Sequence, residues 1–432
     1  MIVSESINLA PFEISTIRPP TENYSLTFRL TRNCYWKKCK FCPSYKMSAS
    51  FSRRSLDEVI GDIERAKALD DLMRERGIGI PSYGEDDYKR LPALADEILR
   101  SWKEAGRQIQ ANEAAEAMPG DTDPSLTWFS SWFKDRPSLL DDLSHLLTWR
   151  LAGGKTCFLG DADGLILKPE FMTTVLGEVK ARFPSIERFT IYGRTKTAAR
   201  QRSLEDLRAI AEAGLNRVHF GIESGSDKVL DFINKGETSA EHIEGCLKVK
   251  EAGLSCSIYV MPGLGGTKYS EEHARETARV INAIVPDFIR IRTLEIFPQT
   301  PLAQALKDGE FTECSEEQIV RELRTMISEI RGETEFLSDS AVNLLDLFGR
   351  LPNDRRRLLK TIDDYLALSA RDKRIFSFQS RLMSFQGQYG GLTEDIWQMI
   401  APYITDGGID ARLCSDEALE SITRMIRSKL MP

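Results

Sequence analysis

The chain has 432 residues, beyond the roughly 250–300 at which a single hydrophobic core stops growing, and its eight cysteines are too sparse for a disulfide-stapled scaffold. Hydrophobic residues at 41% and charged residues at 28% exclude a wholly disordered chain. The 58 Lys and Arg against 65 Asp and Glu leave a net charge of −7, which excludes a global attraction to nucleic acid, DNA included, or to an anionic membrane. No apolar run reaches the ~18 residues of a membrane span. The opening stretch MIVSESINLAPFEIS lacks the basic and apolar regions of a secretory signal, so the expected location is the cytoplasm.

In chain order, the first element expected is a strand over 26–30. A helix follows, capped by Ser55 with Glu58 completing a capping box, and with Leu56, Val59, Ile60 and Ile63 at helical spacing. Residues 68–155, rich in Trp, charge and helix formers, read as a mostly helical insertion. From residue 156 short apolar runs alternate with amphipathic stretches. Strands are expected at 156–160, 188–193, 217–222, 256–261 and 288–294, and helices from Ser203 to a stop at Gly214, over 239–253 and over 270–284. A strand spacing of roughly 30 to 40 residues is one βα unit. The fold expected is therefore α/β, a partial (βα)6 TIM-like barrel over residues 1–301 carrying the insertion. Residues 302–432 show helical patterns at 315–330 and 354–368 and no evident strand, and read as a helical C-terminal region.

Three cysteines, Cys34, Cys39 and Cys42, fall within nine positions just after the first strand, on the kind of strand-end loop where barrels place their chemistry. In a reducing compartment such crowding points to metal. A structural zinc calls for a fourth Cys or His, and the next ones along the chain are only His145 and Cys157. A four-iron cluster held by three thiolates keeps one iron open to an outside ligand. A zinc site or a non-catalytic cluster stays open as an alternative.

The Cys-x4-Cys-x2-Cys loop, with Phe41 before its last cysteine, resembles the radical S-adenosylmethionine (radical SAM) superfamily, whose usual spacing has one residue fewer in the first gap. The resemblance implies that Cys34, Cys39 and Cys42 hold a [4Fe–4S] cluster, that S-adenosylmethionine chelates its fourth iron, and that Phe41 packs near the adenine. It implies an enzyme of oxidoreductase or lyase type, in which cofactor cleavage yields methionine and a 5′-deoxyadenosyl radical that abstracts hydrogen from a substrate. Gly160, Asp161, Ala162 and Asp163 stand where the superfamily holds the cofactor's amino group; an acidic turn before a helix near Pro169 is the plain reading of the same residues. The segment from His219 to Asp227, which ends in Gly-Ile-Glu-Ser-Gly-Ser-Asp, is similar to one in tRNA methylthiotransferases and oxygen-independent coproporphyrinogen oxidases. There the side chain at the position of Glu223 meets the ribose hydroxyls, which makes Glu223 and Ser224 candidate cofactor contacts. Met261 and Leu294, at the ends of the fifth and sixth strands, are candidates for the adenine and methionine.

Strand alternation adds a reading of its own. Val218, Phe220 and Ile222 face helices, while His219, Gly221 and Glu223 face the lumen; Tyr192 goes with Arg194, Tyr259 with Met261, and Arg290 with Arg292. A polar lumen of this kind suits function, since closed barrels fill theirs with branched apolar residues. Arg194, Arg290 and Arg292 are candidates to bind carboxylates of cofactor or substrate, structural ion pairing being the alternative. Tyr192, His219, Tyr259, Arg290 and Arg292 are the substrate candidates, and no catalytic residue is assigned. His145, His242 and His273 read as surface or capping residues. The resemblance extends over residues 24–48 and 156–370 to a coproporphyrinogen oxidase-like group of radical enzymes. A small-molecule substrate is expected rather than RNA, because the net charge is acidic and no RNA-binding appendage is evident, with a tRNA-modifying enzyme as the alternative; an electron donor such as flavodoxin or ferredoxin is the partner expected.

Overall fold

The computed structural model describes residues 9–15, 17–43, 50–79, 86–104 and 138–430; parts of the expected insertion, 80–85 and 105–137, and residues 44–48 after the cysteine loop lie outside the described residues. The six expected runs form strands β1 (Leu26–Arg29), β2 (Thr156–Gly160), β3 (Arg188–Gly193), β4 (Leu215–Glu223), β5 (Ser255–Val260) and β6 (Phe288–Ile291). They lie side by side in chain order, each parallel to the next. Parallel neighbours need crossovers, and helices supply them. α1 (Leu56–Glu75), α2 (Asp86–Glu104) and α3 (Leu139–Leu151) fall between β1 and β2, and α4 (Pro169–Arg182) between β2 and β3. α5 (Thr195–Gln201) and α6 (Leu204–Ala213) precede β4; α7 (Asp227–Phe232) and α8 (Ser239–Glu251) precede β5; α9 (Gly266–Ile284) precedes β6.

Local chemistry explains the helix starts. Ser55 with Glu58 and Ser203 with Asp206 form reciprocal capping boxes, and Gly214, at φ 118, ends α6 in a left-handed cap. On the strands, Leu26, Phe28, Val218, Phe220, Ile222, Ile289 and Ile291 join one continuous core beneath the helices. The alternate residues face the lumen, where Tyr192 pairs in register with His219, and Tyr259 lies between Gly221 and Arg290.

Two expectations are corrected. The C-terminal region is not strandless: after α10 (Pro301–Lys307) and α11 (Glu316–Glu329), β7 (Thr334–Leu337) joins β6 in parallel and β8 (Phe348–Leu351) pairs with β7 antiparallel. Each has four residues and one apolar residue deep in the core, Phe336 of β7 and Leu351 of β8, too little for a period-two pattern to show. The sheet then ends at β1 on one side and β8 on the other, so the barrel is partial. α12 (Arg355–Leu366) packs on the main core, whereas α13 (Ala370–Tyr389), α14 (Glu394–Ile400) and α15 (Asp416–Lys429) share a second one around Phe378, Phe385, Ile396 and Ile422.

His145, His242 and His273 are buried rather than at the surface. Each spends a ring nitrogen on another element: His145 Nε2 accepts from the Thr27 N–H at 2.9 Å, His242 Nδ1 lies 2.7 Å from Thr195 Oγ1, and His273 Nδ1 lies 2.8 Å from Ser224 Oγ. Among the described residues no helix is long and apolar enough to cross a membrane.

Candidate functional site

One carboxylate pins the start of the cysteine loop to the sheet. Asp161, directly after β2, accepts hydrogen bonds from Arg29 Nε at 2.7 Å, Ser15 Oγ at 2.7 Å and the Asn33 N–H at 3.1 Å. Asn33 (φ 65) and Lys37 (φ 51) are left-handed, and Lys37 lies in the gap that holds the additional residue. The far side of the loop is tied to the turn after α7. Trp36 Nε1 donates to the Asn234 carbonyl at 2.8 Å, the Lys40 N–H to Ile233 at 2.8 Å, and the Leu302 N–H to Lys40 at 3.0 Å. A Cβ on Gly236 would collide with the Trp36 ring, so glycine is what lets the indole lie flat there.

This anchoring brings Cys34, Cys39 and Cys42 to the wall of a cavity of about 180 Å³ at the C-terminal ends of the strands. Of the residues expected at the site, Phe41, Ala162, Tyr192, Arg194, Glu223, Tyr259, Met261 and Arg292 line the same cavity. Glu295 and Phe297 also line a second cavity, of about 920 Å³, whose far wall comes from α13 and α15; Arg427 of α15 holds Glu295 at 3.0 Å. All eight cysteines are free thiols. Among the described residues no three His, Cys, Asp or Glu side chains stand at the spacing of ligands on one metal ion, a spacing that ligands on three corners of a four-iron cube do not share.

The other expected residues are spent within the protein. Gly160 ends β2 and its carbonyl accepts the Leu30 N–H. Asp163 accepts from Thr197 Oγ1 at 2.6 Å and the Arg194 N–H at 3.1 Å, and burial pushes its carboxyl up to about 7. Ser224 bonds His273, and Leu294 packs with Phe41, Met261 and Leu264 in a small apolar cluster. Arg290 is paired with Asp339 and donates to Ser257 Oγ at 3.3 Å. His219 lies at the lumen floor, its Nε2 3.7 Å from Glu22, and burial draws it down to about 4, so it is neutral near pH 7.

Glu223 sits where β4 and β5 slip register, at φ 61, a conformation a side-chain-bearing residue holds only when its surroundings fix it. Lys235 holds its carboxylate at 3.4 Å and reaches Glu237 at 3.6 Å, while Arg194 pairs with Glu237 at 3.3 Å and lies over the Tyr35 and Trp36 rings. Burial opposes charge on Glu237, but Lys235 and Arg194 outweigh it and bring that carboxyl down to about 2. Burial pushes the Cys39 thiol up to about 12, so a thiolate there calls for the positive charge of bound metal. The donor set therefore fits an iron–sulfur cluster: three thiols on one wall, two buried cations beside them, and an open cavity in front.

Arg18, Lys235, Thr293 and Ser340 also line the cavity and escaped the sequence reading. The Asn234-Lys235-Gly236 turn, with φ 55 at Asn234 and 71 at Gly236, was the one local signal for any of them.

Comparison with known proteins gives partial matches. Residues 134–280, about a third of the chain, match the family model described as the radical SAM superfamily. A tRNA uridine(34) acetyltransferase of Methanocaldococcus infernus is 24% identical over 119 residues, covering 27% of this chain and 22% of that protein. The chain thus spans about a fifth of the curated relatives it matches. Among solved structures, the coproporphyrinogen III oxidase of Escherichia coli overlaps 64% of this chain and 78% of its own at 14% identity and a TM-score of 0.35. The chain thus carries a match to the radical SAM superfamily over residues 134–280, and the cofactors of that superfamily are a [4Fe–4S] cluster and S-adenosylmethionine.

Proposed function

We propose that this protein is an enzyme that cleaves S-adenosylmethionine reductively and uses the resulting radical to take hydrogen from a small-molecule substrate. One observation carries the reading: the three cysteines share a single cavity with Phe41, Ala162, Arg194, Glu223 and Met261, drawn from the cysteine loop and four successive strand ends. Cys34, Cys39 and Cys42 would hold the cluster. The cofactor supplies the bond cleavage and the radical; the chain supplies binding, orientation and exclusion of water.

Each wall residue suits a part of that work. The Glu223 carboxylate, fixed by Lys235, can accept from two ribose hydroxyls at once. Phe41 and Met261, already packed together, offer an apolar face to a nucleobase. Asp161 and Asp163 act indirectly, by holding the cysteine loop and the Arg194 backbone in place. Tyr192, Tyr259 and Arg292 remain for the substrate. A cytoplasmic location, with thiols kept reduced, and an electron donor such as flavodoxin or ferredoxin belong to the same proposal.

The test is anaerobic reconstitution with iron and sulfide, then dithionite and S-adenosylmethionine. The wild type should form 5′-deoxyadenosine, and Cys34→Ala, Cys39→Ala and Cys42→Ala should each abolish it. Zinc without iron in anaerobically prepared protein would select a structural site instead. The partial match to a tRNA-acting relative favours a second reading, a tRNA-modifying enzyme; stimulation of 5′-deoxyadenosine formation by added tRNA would support it, against the expectation from a net charge of −7.

A further inference from the structure

Charge is unevenly matched around the cavity. Arg194 and Lys235 are answered by Glu237 and Glu223, and Glu295 by Arg427. Two further guanidiniums line the same wall, Arg18 and Arg292, and among the described residues neither has a carboxylate within ion-pair distance. The hydrogen bond of the Arg18 guanidinium goes to the Ser15 carbonyl at 3.4 Å, a long one. Both arginines lie close enough to Tyr192 to act on its hydroxyl, and Arg292 acts on Tyr259 as well. The Tyr259 hydroxyl is buried with no hydrogen-bond partner among the described residues.

A buried hydroxyl without a partner is costly unless something binds it, and two half-buried guanidiniums outside ion-pair distance of any described carboxylate stand beside it on the same cavity. Burial draws the Arg18 guanidinium down to about 10, and the negative charge of Glu22 offsets this only in part. Arg290, which the sequence offers equally for this work, is taken by Asp339. Two guanidiniums, which can only donate, and two phenol hydroxyls, each able to donate one proton, are together the complement of an oxygen anion.

We propose that Arg18, Arg292, Tyr192 and Tyr259 form a subsite for an oxyanion of the substrate, a carboxylate or a phosphate. The proposal deepens the enzymatic reading and rests on it for the word substrate, but anion binding itself needs no turnover. It follows that the substrate is an anion, held by its charged end while its reacting carbon faces the cofactor.

The test uses the full-length, cluster-reconstituted protein and two probes, succinate and inorganic phosphate, titrated calorimetrically against chloride at equal ionic strength. At least one probe should bind the wild type. The R18Q/R292Q double variant should bind it about ten-fold or more weakly, while cluster absorbance and S-adenosylmethionine affinity stay within about two-fold. R18K/R292K, which keeps both charges, should retain most of the binding and guards against a folding artefact. Binding of succinate alone assigns a carboxylate, and of phosphate alone a phosphate. The proposal is overturned if neither probe binds, if the double variant binds as the wild type does, or if it loses S-adenosylmethionine affinity about ten-fold, since the guanidiniums would then serve the cofactor. Failure of the enzymatic reading shows separately, as absence of 5′-deoxyadenosine from the wild type.

Discussion

Replacing Asp161 by Ala tests whether this carboxylate pins the cysteine loop or touches the cofactor. Asp161 is 2% exposed and Arg29 is 6% exposed, so their 2.7 Å ion pair is out of water. Removing one partner of a buried pair leaves the other charge uncompensated and typically costs about 3–5 kcal/mol. Here the Ser15 hydroxyl and the Asn33 N–H lose their acceptor as well. Against the ~5–15 kcal/mol by which domains are stable, the loss should lower the urea midpoint clearly. Asp161→Asn, which keeps one acceptor oxygen, should lose about half as much. Arg29→Met combined with Asp161→Ala should recover part of the loss, because no charge is then left buried. Iron retained after anaerobic reconstitution should fall in step with stability, since Asn33 leads directly into Cys34. If Asp161→Ala unfolds like the wild type but binds S-adenosylmethionine poorly, the side chain touches the cofactor and the pinning argument is wrong.

Asp163 gives a prediction in pH. Its carboxyl is raised to about 7 by burial, so the folded state favours the protonated form; the stability this brings is present below its ordinary value of 3.8 and is lost as pH rises toward 7. Asp163→Asn removes that dependence, and its stability relative to the wild type should rise by up to about 4 kcal/mol between pH 4 and 8 in urea titrations; parallel pH curves would count against it. A Cβ on Gly221 would meet Glu223 Oε1, the movable end of a side chain, so Gly221→Ala should fold with a change under about 1 kcal/mol yet bind S-adenosylmethionine more weakly. A Cβ on Gly225 meets the Glu276 backbone carbonyl, which cannot swing away, and Gly225→Ala should cost about 1–3 kcal/mol in thermal unfolding.

The parts of the molecule legible in the sequence are those written locally. Capping residues such as Ser55 and Ser203 mark helix starts by their own side chains, and alternation on β4 separates Phe220 from His219 whatever the rest of the chain does. Asp161 and Asp163 show the limit. A carboxylate after a strand reads alike as a ligand or a pin, and the groups that decide, Ser15, Asn33 and Thr197, arrive from 146, 128 and 34 residues away. The buried histidines follow the same logic, because burial belongs to how α3, α8 and α9 pack and not to the helical stretch in which each is written. Arg290 in β6 and Arg292 just past its end are two residues apart, yet only one is neutralised, by Asp339 from beyond β7. Which arginine stays available to a ligand is thus a property of the strand the sequence hid, and Arg18 joins it only because the N-terminal segment folds back against the lumen, carrying Glu22 to Arg188 and His219 below.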